Sequence, residues 1–226
     1  ARRDRRGAGK ITGSALRVTA LLAFPMGVGL FVMGTPIMQL LYPALSAQLA
    51  GPLLSTLGLA TVFVCMMLVC NSVLQAHSFV NLPVLVMLLG GGLKIITNYH
   101  VVVQPGIGIY GAPMGNILCF GLCLALDLVV IARVIPKRPA YLPIFVKPLL
   151  ASLVMGVAAW AVNGLLTRLL SHGGELSRMG CALTVFLSIG VAMVVYMVLV
   201  VALRIISRDD LALMPKGDKI ARLLRL

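Results

Sequence analysis

The stretch MGCALTVFLSIGVAMVVYMVLVVALRII, residues 179–206, carries a single charge, Arg204, close to its C-terminal end. No strand or buried helix of a water-soluble domain needs so long a run. A helix crossing the hydrocarbon core of a bilayer needs about 20 apolar residues. Five more runs of this kind precede it, from about Thr19 to Tyr42, Pro52 to Gln75, Leu82 to Val103, Ile107 to Ala132 and Ile144 to Leu170. The reading is an all-α, polytopic membrane protein of six transmembrane helices. It divides into a basic segment 1–18, a six-helix bundle 19–206 and a basic tail 207–226. The lipid bilayer is its first partner.

Composition agrees. Of 226 residues 60% are hydrophobic and only 11% charged, and mean hydropathy is +1.06. Soluble domains carry roughly 25% charged residues, so too few charges exist here to coat a soluble fold. A net charge of +13 invites a nucleic-acid reading, but the basic residues stand at the ends of apolar runs, where they act as topology signals. Arg2, Arg3, Arg5, Arg6, Lys10 and Arg17 precede span one. Arg133, Lys137, Arg138 and Lys147 lie between spans four and five. Arg204, Arg208, Lys216, Lys219, Arg222 and Arg225 end the chain. These sixteen face Arg168 and Arg178 on the other side, and Lys94 lies within a span. Both termini are therefore expected in the cytoplasm. The tail's Ile220, Leu223 and Leu224 share one helical face, which suits either a short surface helix or an unstructured basic tail.

Short connections at Pro43–Gly51, Gln104-Pro105-Gly106 and Ser171-His172-Gly173-Gly174 predict antiparallel neighbours. The opening Ala1, with no methionine and no cleavable leader, suggests a fragment. Cys65, Cys70, Cys119, Cys123 and Cys181 all fall inside apolar runs with no metal-binding spacing. His77, His100 and His172 are scattered, and no hydrolase, zinc-protease or phosphate-loop motif occurs. The expectation is no enzyme, no cofactor and no metal.

Polar groups inside a span are costly and mark function or structural pairing. Lys94 lies deep in span three with Asn98 one turn on, either lining a cavity as a cation for a phosphate or carboxylate, or bonded within the bundle. Asp127, the sole acid within a span, shares a face with Asn116. Depth counting from Pro105 puts it roughly 12 Å from the level of Lys94, against a direct pair, and a solvated carboxylate near Arg133 is the favoured reading. Asn71 and Gln75, one turn apart, line a vestibule or bond across helices. Gly90, Gly91 and Gly92 weaken span three, and Pro25 with Gly27 and Gly29 gives span one a point of bending.

A longer succession of motifs carries a family resemblance. Ser14-Ala15-Leu16-Arg17-Val18-Thr19, then Phe24-Pro25-Met26-Gly27-Val28-Gly29-Leu30 and Pro36-Ile37-Met38-Gln39-Leu40-Leu41-Tyr42, resemble the ninth helix of stage V sporulation protein B and its relatives. These are polysaccharide-biosynthesis flippases of the multidrug/oligosaccharidyl-lipid/polysaccharide exporter superfamily. Asn71-Ser72-Val73-Leu74-Gln75-Ala76 is similar to the end of their tenth helix. Lys94-Ile95-Ile96-Thr97-Asn98-Tyr99 and Gly108-Ile109-Tyr110-Gly111-Ala112-Pro113-Met114-Gly115-Asn116 resemble helix eleven, a turn and helix twelve, and Met214-Pro215-Lys216-Gly217 fits the family's ending.

The resemblance implies helices nine to fourteen of a MATE-like exporter fold, with the N-terminal helices of the same protein as a missing partner. It implies a bacterial cytoplasmic membrane and an undecaprenyl-linked sugar precursor, a lipid-linked oligosaccharide or a peptidoglycan precursor, as cargo. In the related lipid II flippases the arginines tied to substrate binding lie mainly in the absent helices, so none carries over. A cation-coupled drug or metabolite antiporter of the same superfamily and a membrane scaffold subunit without transport are the alternatives.

Overall fold

A computed structural model describes residues 2–134, 141–171, 178–203 and 205. Six long helices account for nearly all of them: α1 (Arg2–Leu41), α2 (Ala44–Ala76), α3 (Asn81–Val102), α4 (Ala112–Val134), α5 (Tyr141–Ser171) and α6 (Arg178–Ala202), with a 3-10 turn at Gly108–Gly111 before α4. No strand occurs among the described residues. All six are long and apolar enough to cross a membrane, and the chain is a multi-pass membrane protein. Its surface is correspondingly apolar. Leu88, Met179, Phe186 and Trp160 are each at least 70% exposed, an arrangement that lipid accepts and water does not.

The helices pack in the lateral order α3, α4, α2, α1, α5, α6, with α6 also touching α1. The central α1–α2 pair is antiparallel and joined through only Tyr42 and Pro43. Its closeness comes from glycines seven residues apart on each helix, Gly27 and Gly34 against Gly51 and Gly58. A Cβ on Gly58 would stand 2.6 Å from Leu30 Cβ and 3.1 Å from the Gly27 carbonyl oxygen, and one on Gly51 2.9 Å from Thr35 Cα. Small residues let backbones approach in this way where lipid supplies no hydrophobic drive between helices.

Two boundaries differ from expectation. The Pro43–Gly51 connection is largely helix, because α2 starts at Ala44 and runs through Pro52. Pro52, the ninth residue of α2, removes its own bond to the carbonyl of Gln48, an exposed residue, and a proline inside a membrane helix is tolerated where other groups satisfy the freed carbonyl. The basic segment expected ahead of span one is continuous in helix with it, giving 40 residues in α1, about 60 Å of helix. The α3–α4 connection contains the expected turn, where Gly106 and Gly108 adopt φ of +101° and +51°, a region open to glycine at little cost. The connections at 135–140 and 172–177 and the tail from 206, with its surface-helix reading, lie outside the described residues.

Two apolar cores stabilise the bundle. One gathers Leu16, Met66, Cys70, Leu74, Cys123 and Ile131 from α1, α2 and α4, with Ile144 of α5. The other gathers Val28 and Met33 of α1, Met155 and Ala159 of α5, and Val185, Ala192 and Tyr196 of α6.

Candidate functional site

The polar residues of the spans fall in three places. The first is the α3–α4 seam. Val86, Gly90, Lys94 and Asn98 recur at intervals of four and face α4, while Val84, Leu85, Leu88, Ile95 and Tyr99 are exposed on the opposite side. Gly90 has no side chain because the thiols of Cys119 and Cys123 occupy its position, and Cys123 Sγ reaches the Val86 carbonyl at 3.4 Å. One helical repeat further on, the Asn98 amide fills the notch over Gly115, and the Lys94 stem lies beside it, with Cγ 3.6 Å from where a Gly115 Cβ would stand. Asn98 Oδ1 is buried without a hydrogen-bond partner. Lys94 is half-buried and pairs with no carboxylate among the described residues. The neighbouring Gly91 and Gly92 face open space, so of the three glycines only Gly90 serves close packing. Asn116, next to Gly115, is half-buried.

The second place is the α2–α4 seam. Asp127 is 0% exposed, which corrects the reading of a solvated carboxylate near Arg133. Arg133 is exposed on α4, and Asp127 turns instead into the packed interior beside Cys70 of α2 and Cys123 of its own helix. Neither carboxylate oxygen has a hydrogen-bond partner. Asn71 follows Cys70 on the buried stripe of α2, and its Oδ1 is likewise buried and unpartnered. Gln75 is exposed, so the pair Asn71/Gln75 splits between interior and surface. Lys94 and Asp127 do not meet. Gly115, the α4 residue at the Lys94 level, precedes Asp127 by 12 residues, roughly 18 Å along the axis.

The third place was not singled out from the sequence. Tyr196 of α6, only 8% exposed, donates its hydroxyl to the Leu21 carbonyl of α1 at 2.6 Å. Pro25 lacks an N–H, so Leu21 has lost its helical donor, and Tyr196 replaces it. The available signal was Pro25 itself, because a mid-span proline frees a carbonyl that another element must satisfy. Gly27, two residues on, is buried against Gly58 and Val62, while Gly29 meets only the end of the Met155 side chain at 3.9 Å. Beside this segment an apolar cavity of about 350 Å³ opens between α1, α2 and α5, lined by Phe31, Val32, Leu59, Leu153 and Trp160 among others.

Among the described residues no cluster of three or more His, Cys, Asp or Glu side chains could hold a metal ion, and all five cysteines are free thiols. What the seams offer is a half-buried cation with an amide beside it and a buried carboxylate, separated in depth within one bundle.

A protein-family model described as "Lipid II flippase MurJ" matches residues 1–181, from α1 through α5 into the start of α6. No curated protein and no solved structure matches the chain.

Proposed function

The chain belongs to the lipid II flippase MurJ family, and on that premise we propose that its six spans form one lobe of a transporter moving an undecaprenyl-linked peptidoglycan precursor across the cytoplasmic membrane. The observation that carries this reading is the family match running through five of the six spans. Lys94 within that stretch suits the cargo. Its pyrophosphate calls for a cation inside the membrane, and Lys94 is held on a span with no carboxylate partner among the described residues, which leaves it open to an anion. A charged residue at such depth is otherwise costly, by about 2.5–3.5 kcal/mol on insertion scales.

The second lobe in this reading is a set of further helices of the same protein on the N-terminal side. The two lobes work by alternating access, rocking around a site near the bilayer midplane. Both termini of this lobe lie in the cytoplasm, as the distribution of lysine and arginine supports. A narrower role in spore-wall synthesis or a different lipid-linked oligosaccharide as cargo fits the same chemistry, and the cargo's sugars are what would separate them. The drug-antiporter alternative draws on one feature, the buried Asp127.

The test is genetic replacement. In cells whose own lipid II flippase is depleted, the whole protein containing these spans sustains growth and keeps lipid II reaching the outer leaflet. Accumulation of lipid II on the inner leaflet despite normal abundance of the protein would exclude the assignment.

A further inference from the structure

Lys94, Thr97 and Asn98 stand three and four residues apart on α3, a spacing that puts them on one face, and each is half-buried. Their donors are unused. Hydroxyls inside a helix commonly bond back to the carbonyl four residues earlier, as Thr19, Thr56, Thr61 and Ser72 do here. Thr97 makes no such bond, and neither it nor Lys94 nor Asn98 has a hydrogen-bond partner among the described residues. The Asn98 amide is oriented by α4. Its oxygen takes the place that a Gly115 Cβ would occupy and is enclosed there, against the Cα–H of the glycine. The amino end is not enclosed, so the end left open is the donor. The Lys94 stem rises from the same notch. No acid occurs in the chain between Asp4 and Asp127, and Asp127 lies 12 residues beyond Gly115 on α4.

Building on the flippase reading, we propose that Lys94, Thr97 and Asn98 form a three-donor site on α3 that selects a lipid-linked diphosphate over a lipid-linked monophosphate. An ammonium flanked by a hydroxyl and an amide N–H offers phosphoryl oxygens both charge and directed donors, and hydrogen bonds to an ionised acceptor are the strong ones. Lys94 is a point charge that either anion satisfies. Thr97 and Asn98 lie about 4.5 and 6 Å further along the helix axis. A single phosphate held at Lys94 therefore leaves part of this set idle, while a second, linked phosphate engages it. Donors that a ligand desolvates without pairing weaken its binding, and that loss falls on the shorter anion.

The experiment measures equilibrium binding of two radiolabelled probes, farnesyl diphosphate and farnesyl monophosphate, to the whole transporter in lipid nanodiscs at fixed pH and salt. The probes share a chain and differ by one phosphate. Wild type is expected to bind the diphosphate at least tenfold more tightly. Lys94→Ala weakens both probes. The double variant Thr97→Val/Asn98→Leu weakens the diphosphate by about tenfold, the equivalent of one hydrogen bond to a charged group, and leaves the monophosphate within about twofold of wild type. A merely structural role for these side chains would weaken both probes alike. Should the double variant fail to fold, Thr97→Val, which keeps the shape of the side chain, decides by the same shift in preference at smaller size. A wild type without preference, or a variant that keeps the wild-type preference, overturns the proposal. Lipid II translocation by the wild-type protein is followed separately: an unchanged preference with translocation intact sinks the donor site alone, and absent translocation with the predicted binding pattern sinks the flippase reading alone.

Discussion

The hydroxyl of Tyr196 on α6 donates to the carbonyl of Leu21 on α1 across 2.6 Å, the carbonyl that Pro25 leaves without its own helical donor. A kink-prone point in the longest helix is thereby tied to a helix distant in the chain. The tie predicts a specific pattern of energies. Tyr196→Phe leaves the fold intact and lowers stability by about 1–2 kcal/mol, because the buried carbonyl loses its donor. Pro25→Ala restores the N–H that bonds Leu21 within α1, so in the Pro25→Ala background the same tyrosine substitution costs measurably less. Unfolding of the four proteins in detergent or bicelles gives the coupling, and equal costs in both backgrounds would show the hydroxyl is not serving that carbonyl.

Glycine substitutions separate packing from flexibility. A Cβ at Gly58 meets backbone atoms of Gly27 and Phe31 at 3.1 and 3.0 Å, and backbone cannot move aside locally. Gly58→Ala is expected to cost about 1–3 kcal/mol, the range for overpacking. Gly115→Ala displaces the Asn98 amide and loosens α3 from α4. Gly91→Ala and Gly92→Ala enter open space and gain up to about 1 kcal/mol from lower backbone entropy. Comparing the midpoints of these variants tests the packing; a loss at Gly92 equal to that at Gly58 would refute it.

Much of this was legible in the sequence, and the reasons are physical. A span must be long and charge-free, so six spans could be counted directly, and short turns required antiparallel neighbours. The separation of Lys94 from Asp127 followed from counting helical rise. What could not be read was enclosure. A carboxylate six residues from Arg133 is ordinarily solvated, and only the approach of Cys70 on α2 and the turn of α4 toward it bury Asp127. Likewise Gly27 reads as a flexible point until its contact with Gly58 and Val62 shows a packing surface. The start of α1 was obscured because arginines that end a hydrophobic run do not end a helix.

Topology offers an independent check. With native cysteines removed, a cysteine at position 172 is expected to react with impermeant maleimide from outside the cell, and one at position 138 only after the membrane is opened. The weight of lysine and arginine on one side requires this. Labelling of position 172 from the cytoplasm alone would invert the orientation.

Lys94 is expected to matter for transport and not for assembly. Its stem lies along Gly115 and its ammonium has no carboxylate partner among the described residues, so truncation strands no buried anion. Lys94→Ala in the whole transporter should keep normal abundance while slowing translocation by tenfold or more, on the scale of one lost charge-assisted bond of about 1.5–3 kcal/mol. Lys94→Arg should retain part of the rate. Abundance that falls while activity per molecule stays normal would assign the lysine to structure.

The most direct measurement is translocation itself. The whole transporter containing these six spans is reconstituted into proteoliposomes with fluorescent lipid II in both leaflets, and the fraction reaching the opposite leaflet is followed with a membrane-impermeant quencher. The account predicts protein-dependent exchange of lipid II that Lys94→Ala slows. A transporter that leaves lipid II in its original leaflet while carrying small organic cations across the same membrane would contradict it.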